Sequence, residues 1–416
     1  MQATQIKNRT VIIIILGLLS AVGPFSIDMY LPGFPAMAKD LAVSVDVISY
    51  SLASFFVGVC LGQLLLGPLL DRFGRKKPLI AGMTLYILAS IGCAFSNSIE
   101  LLIVLRFFQA LGGCVGMVAP RAMIRDIFPL KENARIFSLM ILILGVAPIC
   151  APTAGSYLIS AFGWHSVFIA LSLIGVLVLL AVIFGLPESK KADPTYSLKA
   201  KPILTNYFAV LKVTQFNTYA IMGAISSAGL FAYLAGSPFV FMELYQTTEQ
   251  EYGYIFAIIA AGLILCSQLN NSLLKKYTSE QITLVTLSIQ TLVGISLLAG
   301  TAFGWLGLYS TIAHISLFLS CQGFAFPNSS ALSMAPFTKN AGTASALMGA
   351  MQMAFGAMAA AIIGLSNPTS ALPLALIMAS CAMLALAILL LGKRQIRYQS
   401  RTDDVDESAL DLLEKY

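Results

Sequence analysis

Residues 52–70 read LASFFVGVCLGQLLLGPLL, and Asp71-Arg72-Phe73-Gly74-Arg75-Lys76-Lys77 follows at once. A spanning helix needs about 20 predominantly apolar residues, whereas a membrane barrel strand needs about 9–11 in alternation. This run is continuous and of helical length, and a basic block keeps its end in water. Eleven more runs read the same way, at 11–27, 79–95, 101–123, 136–162, 167–186, 219–241, 254–274, 282–303, 306–327, 341–365 and 371–391. The expectation is an all-α membrane protein of twelve spanning helices with no soluble domain between them.

Composition agrees. Of 416 residues 58% are hydrophobic and 11% charged, with a mean hydropathy of +0.85. Soluble domains run about 45–50% apolar and about 25% charged. A surplus of this size finds no cover in water, which excludes a soluble enzyme, a disordered chain and a secreted disulfide scaffold. All seven cysteines fall in apolar runs, too far apart for a metal motif, and read as packing residues. Two histidines and the absence of HExxH, GxSxG or Walker sequences leave no hydrolytic or nucleotide-driven chemistry visible.

Of the 25 lysines and arginines, all but Lys39 and Arg106 fall at the N-terminus, in the even-numbered loops and their flanks, or in the tail. This asymmetry places both termini in the cytoplasm, so the net charge of +6 reflects topology and not a nucleic-acid partner. Lys7 and Arg9 before an apolar stretch resemble a signal peptide. Cleavage would turn the basic loops outward, so the first run is expected to stay. The acidic tail, with Asp403, Asp404, Asp406 and Glu407, reads as a solvated, weakly helical end with no assigned role.

The longest polar segment, 187–212, divides the spans six and six. Tyr30-Leu31-Pro32-Gly33-Phe34-Pro35 in the first half resembles Tyr233-Leu234-Ala235-Gly236-Ser237-Pro238 in the second. Pro68 to Phe73 resembles Ser272 to Tyr277 at the same offset, to within one residue. The reading is a parallel duplication: a bundle over 1–186, a cytoplasmic loop over 187–212, a second bundle over 213–392 and a cytoplasmic tail over 393–416.

Gly67-Pro68-Leu69-Leu70-Asp71-Arg72-Phe73-Gly74-Arg75-Lys76-Lys77 resembles the motif at this loop throughout the major facilitator superfamily. Gly67 would permit close helix approach and Gly74 a tight turn. Asp71 sits at a helix C-terminus, where the dipole disfavours an anion, so it needs cationic partners. Arg75 is the expected one, with Asp126 completing the cluster. The resemblance implies a latch between the two halves in the outward-open state, with Arg72 also part of the motif. Arg106-Phe107-Phe108-Gln109-Ala110-Leu111-Gly112 is similar to the family's Arg-x-x-Gln-Gly-x-Gly and departs from it at Ala110. Gly145, Pro148, Ala151, Pro152 and Gly155 resemble the glycine–proline motif of antiporters, with Ala-Pro in place of Gly-Pro. The prolines read as a shaped hinge or as a structural kink.

Asp28-Met29-Tyr30-Leu31-Pro32, Arg121 to Pro129, Pro327-Asn328 and Ala341 to Ala346 are similar to the bicyclomycin/chloramphenicol-resistance (Bcr/CflA) branch of drug:proton antiporters. Some relatives carry a second acid two turns earlier in the first span, where this chain has Ser20. The resemblance implies export of small, largely apolar drugs across a bacterial inner membrane by alternating access. The proton gradient would drive it, with no cofactor, in a monomer surrounded by lipid.

Ionisable residues inside a membrane are costly and are functional candidates by default. Here they are Asp28, Arg106 and His314, with Glu100 at the mouth of the fourth span. Asp28 lies at most about 16 Å of helix rise from Lys39, and Arg106 about 9 Å from Glu100. Both belong in the outer half, in one cavity. Asp28 reads either as the carboxyl that exchanges protons or as a fixed partner of Arg106, the exchange being the favoured reading. Leu52 and Phe55 are expected to line the substrate site. Tyr30, Tyr233, Gln109 and Asn328 are expected to supply hydrogen bonds, and His314 is a second titrating candidate. A proton-coupled importer on the same fold is the competing reading.

Overall fold

The computed structural model describes residues 9–193, 195, 198–337, 340–366 and 369–413. Lys7, Lys339, Lys415 and the acidic tail side chains lie outside what is described. The first bundle contains α1 (Arg9–Asp40), α2 (Val45–Phe73), α3 (Lys76–Ala94), α4 (Ile99–Ile127), α5 (Leu130–Phe162) and α6 (His165–Gly185). The second contains α7 (Thr214–Leu244), α8 (Glu249–Leu273), α9 (Ser279–Ala302), α10 (Leu308–Met334), α11 (Ala341–Leu365) and α12 (Leu372–Leu413). Eleven of the described helices contain stretches long and apolar enough to cross a membrane. At 27 residues α10 is also long enough, but His314, Ser316, Ser320, Gln322 and Asn328 dilute its hydropathy.

Helix also forms outside the spans in two places. The 187–212 segment is not all loop, because Ala200–Leu211 forms a helix. The final helix continues past the last span to Leu413, there being no proline or glycine after Gly392 to end it.

The duplication is visible in the packing. In the first half α1 contacts α5 and α6, α2 contacts α4, and α3 contacts α4 and α6. In the second α7 contacts α11 and α12, α8 contacts α10, and α9 contacts α10 and α12. The halves meet through α2 against α11 and α5 against α8, again a symmetric pair. The repeated Tyr-Leu-x-Gly-x-Pro segments both mark irregularities. In α1 the α-helix ends at Asp28 and a 3₁₀ turn over Leu31–Gly33 follows. In α7 the turns after Pro238 widen to a π-helix over Phe239–Leu244. Proline lacks the N–H that the regular ladder requires, which is the local cause of such departures.

Large apolar side chains face outward, among them Leu88, Leu177 and Phe184, the last 84% exposed. Trp305 and Tyr309 lie exposed at the α9–α10 turn, where aromatic rings anchor a membrane interface. Water would not tolerate such a belt; lipid does.

Candidate functional site

Asp28 ends the regular part of α1 and is 5% exposed. Among the described residues its carboxylate has no ion pair and no hydrogen bond. Tyr233 on α7 and Tyr252 on α8, both in the second half, lie within electrostatic range of it. The next residue is gripped by α5: a Cβ on Gly155 would clash with the Met29 carbonyl oxygen. Only a glycine lets the two backbones approach so closely. Gly155 of the antiporter-like motif thus packs against the peptide beside Asp28. Pro148 and Pro152 lie inside α5, which runs unbroken past both, and a Cβ on Gly145 would make ordinary contact with Ile264 of α8.

Arg106 is fully buried on α4 and, among the described residues, makes no ion pair with Asp28, contrary to the fixed-pair reading. Its guanidinium lies 4.1 Å from the Tyr30 ring centroid, 4.3 Å from that of Phe55 and 5.8 Å from that of Phe168. Nη1 donates to Gln109 Oε1 at 2.6 Å, while Nε and Nη2 have no hydrogen-bond partner. Gln109 Nε2 donates to Ser90 Oγ at 2.8 Å, and Ser90 Oγ donates to the Tyr86 carbonyl. The negative faces of three rings offset the charge instead of a carboxylate. Tyr30, Phe55 and Gln109 gather at Arg106, and Leu52 is buried three residues before Phe55 on the same helix. Phe168, Tyr86 and Ser90 were not legible, since nothing in an apolar run marks which ring meets the cation.

Three other candidates lie elsewhere. Tyr233, with a buried hydroxyl that has no partner, tilts against Phe256 at 5.6 Å on the Asp28 side. His314 points away from the centre: Nε2 meets Ser296 Oγ of α9 at 3.1 Å and Nδ1 meets its own Ser310 carbonyl at 2.7 Å. Asn328 Nδ2 donates to Asn270 Oδ1 of α8 at 2.7 Å, inside the second bundle. The helical spacing that put His314 and Asn328 on α10 could not say which face each occupied. Asp46, in the first turn of α2, is a further buried acid that the apolar-run reading passed over, and its Oδ2 has no partner.

At the end carrying the basic loops, Arg75 Nε donates to Asp126 Oδ2 at 2.8 Å and Nη1 to Asp71 Oδ1 at 3.1 Å. Lys190 Nζ donates to Asp71 Oδ1 at 2.7 Å, and Ser189 Oγ to Asp126 Oδ2 at 3.2 Å. Gly74 makes the turn at φ +83°, and Glu188 accepts from the backbone N–H groups of Arg75 and Lys76. The expected cluster of Asp71, Arg75 and Asp126 is present. Its described partners all belong to the first half or the segment just after it, so in this state it does not tie the halves together. Gly67 makes no close helix approach, having nothing within 4 Å of where a Cβ would stand.

The reason is a cavity of about 610 Å³ between the halves at this basic end, lined by Gly67, Asp71, Arg75, Arg121, Arg125 and the start of α11. The opposite end is closed. Ser49 Oγ on α2 donates to the Ala235 carbonyl on α7 at 3.0 Å, and the hydroxyls of Tyr157 and Tyr254 meet at 2.8 Å. Among the described residues the halves part at the basic end and are bridged at the other. Neither Asp28 nor Arg106 lines the cavity, which on α4 begins at Met117, about 16 Å of helix rise from Arg106.

Two bundles of six with matched internal packing, a charge cluster at the second loop and an opening at the basic end agree with what comparison shows. The Major Facilitator Superfamily profile matches residues 16–361. The chain belongs to the major facilitator superfamily. The bicyclomycin resistance protein homolog of Haemophilus influenzae is 31% identical over 94% of this chain and 99% of its own. An uncharacterized MFS-type transporter of Bacillus subtilis, YdgK, is 32% identical over 95% and 98%. The multidrug resistance protein MdtL of Escherichia coli is 28% identical over 82% and 86%. Among solved structures, a D-xylose-proton symporter superposes with a TM-score of 0.72 at 14% identity, covering 91% of this chain and 96% of its own, which bears on the fold alone.

Membership of this superfamily of transporters, and not of an enzyme family, gives the remaining departure a physical reading. Where the fourth-helix motif of major facilitator proteins has glycine, this one has Ala110. The close approach is kept by the partner helix, since a Cβ on Gly58 of α2 would lie 2.8 Å from Ala110 Cβ and 2.5 Å from the Phe107 carbonyl.

Proposed function

We propose that this major facilitator protein is a proton-coupled antiporter that exports small, largely apolar drugs across a bacterial inner membrane. The basic end is then cytoplasmic, with both termini, and the structure corresponds to the inward-open state. The observation that carries the reading is the unpaired Asp28, buried at the end of regular α1 and within electrostatic range of tyrosines of the second half. Asp28 is the proton carrier in this account, and the names of the Haemophilus and Escherichia relatives support drugs as the cargo. Arg106, held by rings and not by a carboxylate, leaves Asp28 free to change charge and supplies two unpaired donors for an oxygen-bearing substrate. The apolar rings around it, with Leu52, suit a small apolar compound.

The cycle follows from burial. A carboxylate deep in the membrane is far more costly than a neutral carboxyl, so the occluded crossing is made either protonated or with drug in place. One charge crossing about 100 mV supplies about 2.3 kcal/mol, enough for a concentration ratio of tens-fold. The Asp71–Arg75–Asp126 cluster is a gating element in this account and makes no contact with drug. The transporter acts as a monomer and uses no cofactor. Energised everted vesicles test the direction: an exporter accumulates chloramphenicol inward, whereas an importer of a metabolite would not.

A further inference from the structure

The mouth of the cytoplasmic cavity has an uneven charge, and nothing in the coupling mechanism uses it. Asp71 is held by Arg75 and Lys190, and Asp126 by Arg75, so that cluster is neutral as a unit. Arg121 and Arg125 line the same cavity from α4, are exposed to it, and make no ion pair or hydrogen bond among the described residues. The other polar side chains in the lining are neutral: Gln63, Asn206, Tyr207, Asn340, Thr343 and Ser345. The facing wall is the first turn of α11, whose Asn340 cap makes no side-chain hydrogen bond, so its free N–H groups add potential of the same sign.

Building on the export reading, we infer that this vestibule is a charge filter in which Arg121 and Arg125 admit small organic anions and neutral compounds and repel cations. Low-dielectric walls focus the field of two uncompensated guanidinium groups, and such clefts raise the local concentration of a counter-charged solute by about tenfold or more. Planar guanidinium forks also suit a carboxylate, a phosphonate or an ionised sulfonamide. The cavity is of drug size, so the arginines act at entry while Arg106 lies deeper and meets cargo only after the vestibule has been passed. Low ionic strength should accentuate the preference and high salt should erase it.

The test uses the purified full chain in detergent and three radiolabelled probes that share one ring: para-nitrobenzoate, para-nitrobenzamide and para-nitrobenzylammonium. Wild type should bind the anion at least about tenfold more tightly than the cation at low salt. In the double variant Arg121→Gln/Arg125→Gln that ratio should fall to about threefold or less, while Arg121→Lys/Arg125→Lys should keep most of it. Equal binding of the three probes, no binding of the anion, or a ratio unchanged in the Gln variant would overturn the filter. Binding is read without transport, so a chain that fails to export chloramphenicol yet shows the ratio refutes the export reading and not the filter.

Discussion

The guanidinium of Arg106 lies 4.1 Å from the ring centroid of Tyr30, two residues after the acid it was a candidate to neutralise. Phe55 covers it at 4.3 Å. A desolvated cation–π contact contributes about 2 kcal/mol, and the flat guanidinium offers rings a face that an ammonium lacks. Arg106→Lys is therefore expected to lower chloramphenicol efflux by about tenfold or more. Tyr30→Phe keeps the ring and loses only a 3.3 Å contact with Ser51, so its efflux should stay within about twofold of wild type. Initial rates of uptake into energised everted vesicles measure both.

Gly155 and Gly67 make opposite predictions for stability. A Cβ on Gly155 would press into the Met29 carbonyl oxygen, whereas one on Gly67 would meet nothing. Gly155→Ala should destabilise the purified protein by about 1–3 kcal/mol, the usual range for overpacking. Gly67→Ala should melt like wild type in detergent. If it also slows transport, the close approach at Gly67 is made only when the cavity shuts.

Asp71→Asn removes the anion that Lys190 and Arg75 share, while Asp126 still holds Arg75 at 2.8 Å. Efflux should drop severely, with drug binding in detergent close to normal, because the cluster contacts no drug in this account. Equal loss of binding and transport would place these residues in the drug site.

The orientation has a direct readout. Thr195 is exposed in the segment between the halves, so Thr195→Cys should resist a membrane-impermeant maleimide in intact cells and react once the cells are opened. Strong labelling from outside would invert the topology and make the structure outward-open.

Much of this was legible in the sequence. Length, hydropathy and the basic loops gave twelve spans, and the Asp71–Arg75–Asp126 cluster followed from a helix-end carboxylate that needed cations. Gly74, at φ +83°, stands where the motif required a turn. Side-chain direction was what the sequence could not supply. Rise along a helix put Arg106 and Asp28 at similar depth, but rotation brings one against Tyr30, Phe55 and Phe168 and leaves the other within range of Tyr233 and Tyr252. His314 and Asn328 share α10 and turn to different neighbours for the same reason. The conformational state was also out of reach, since one sequence must serve both openings, and the absence of a latch across the halves is a property of the state.

The central claim is that Asp28 carries the exchanged proton, and it is tested most directly by proton release. Purified wild type in weak buffer, at a pH where the drug itself does not titrate, should acidify the medium when chloramphenicol is added. Asp28→Asn should still bind the drug, because the cavity walls are unchanged, and should release no proton. Equal release from wild type and Asp28→Asn would contradict the account by removing Asp28 as the carrier, and no release from wild type would contradict antiport for that drug.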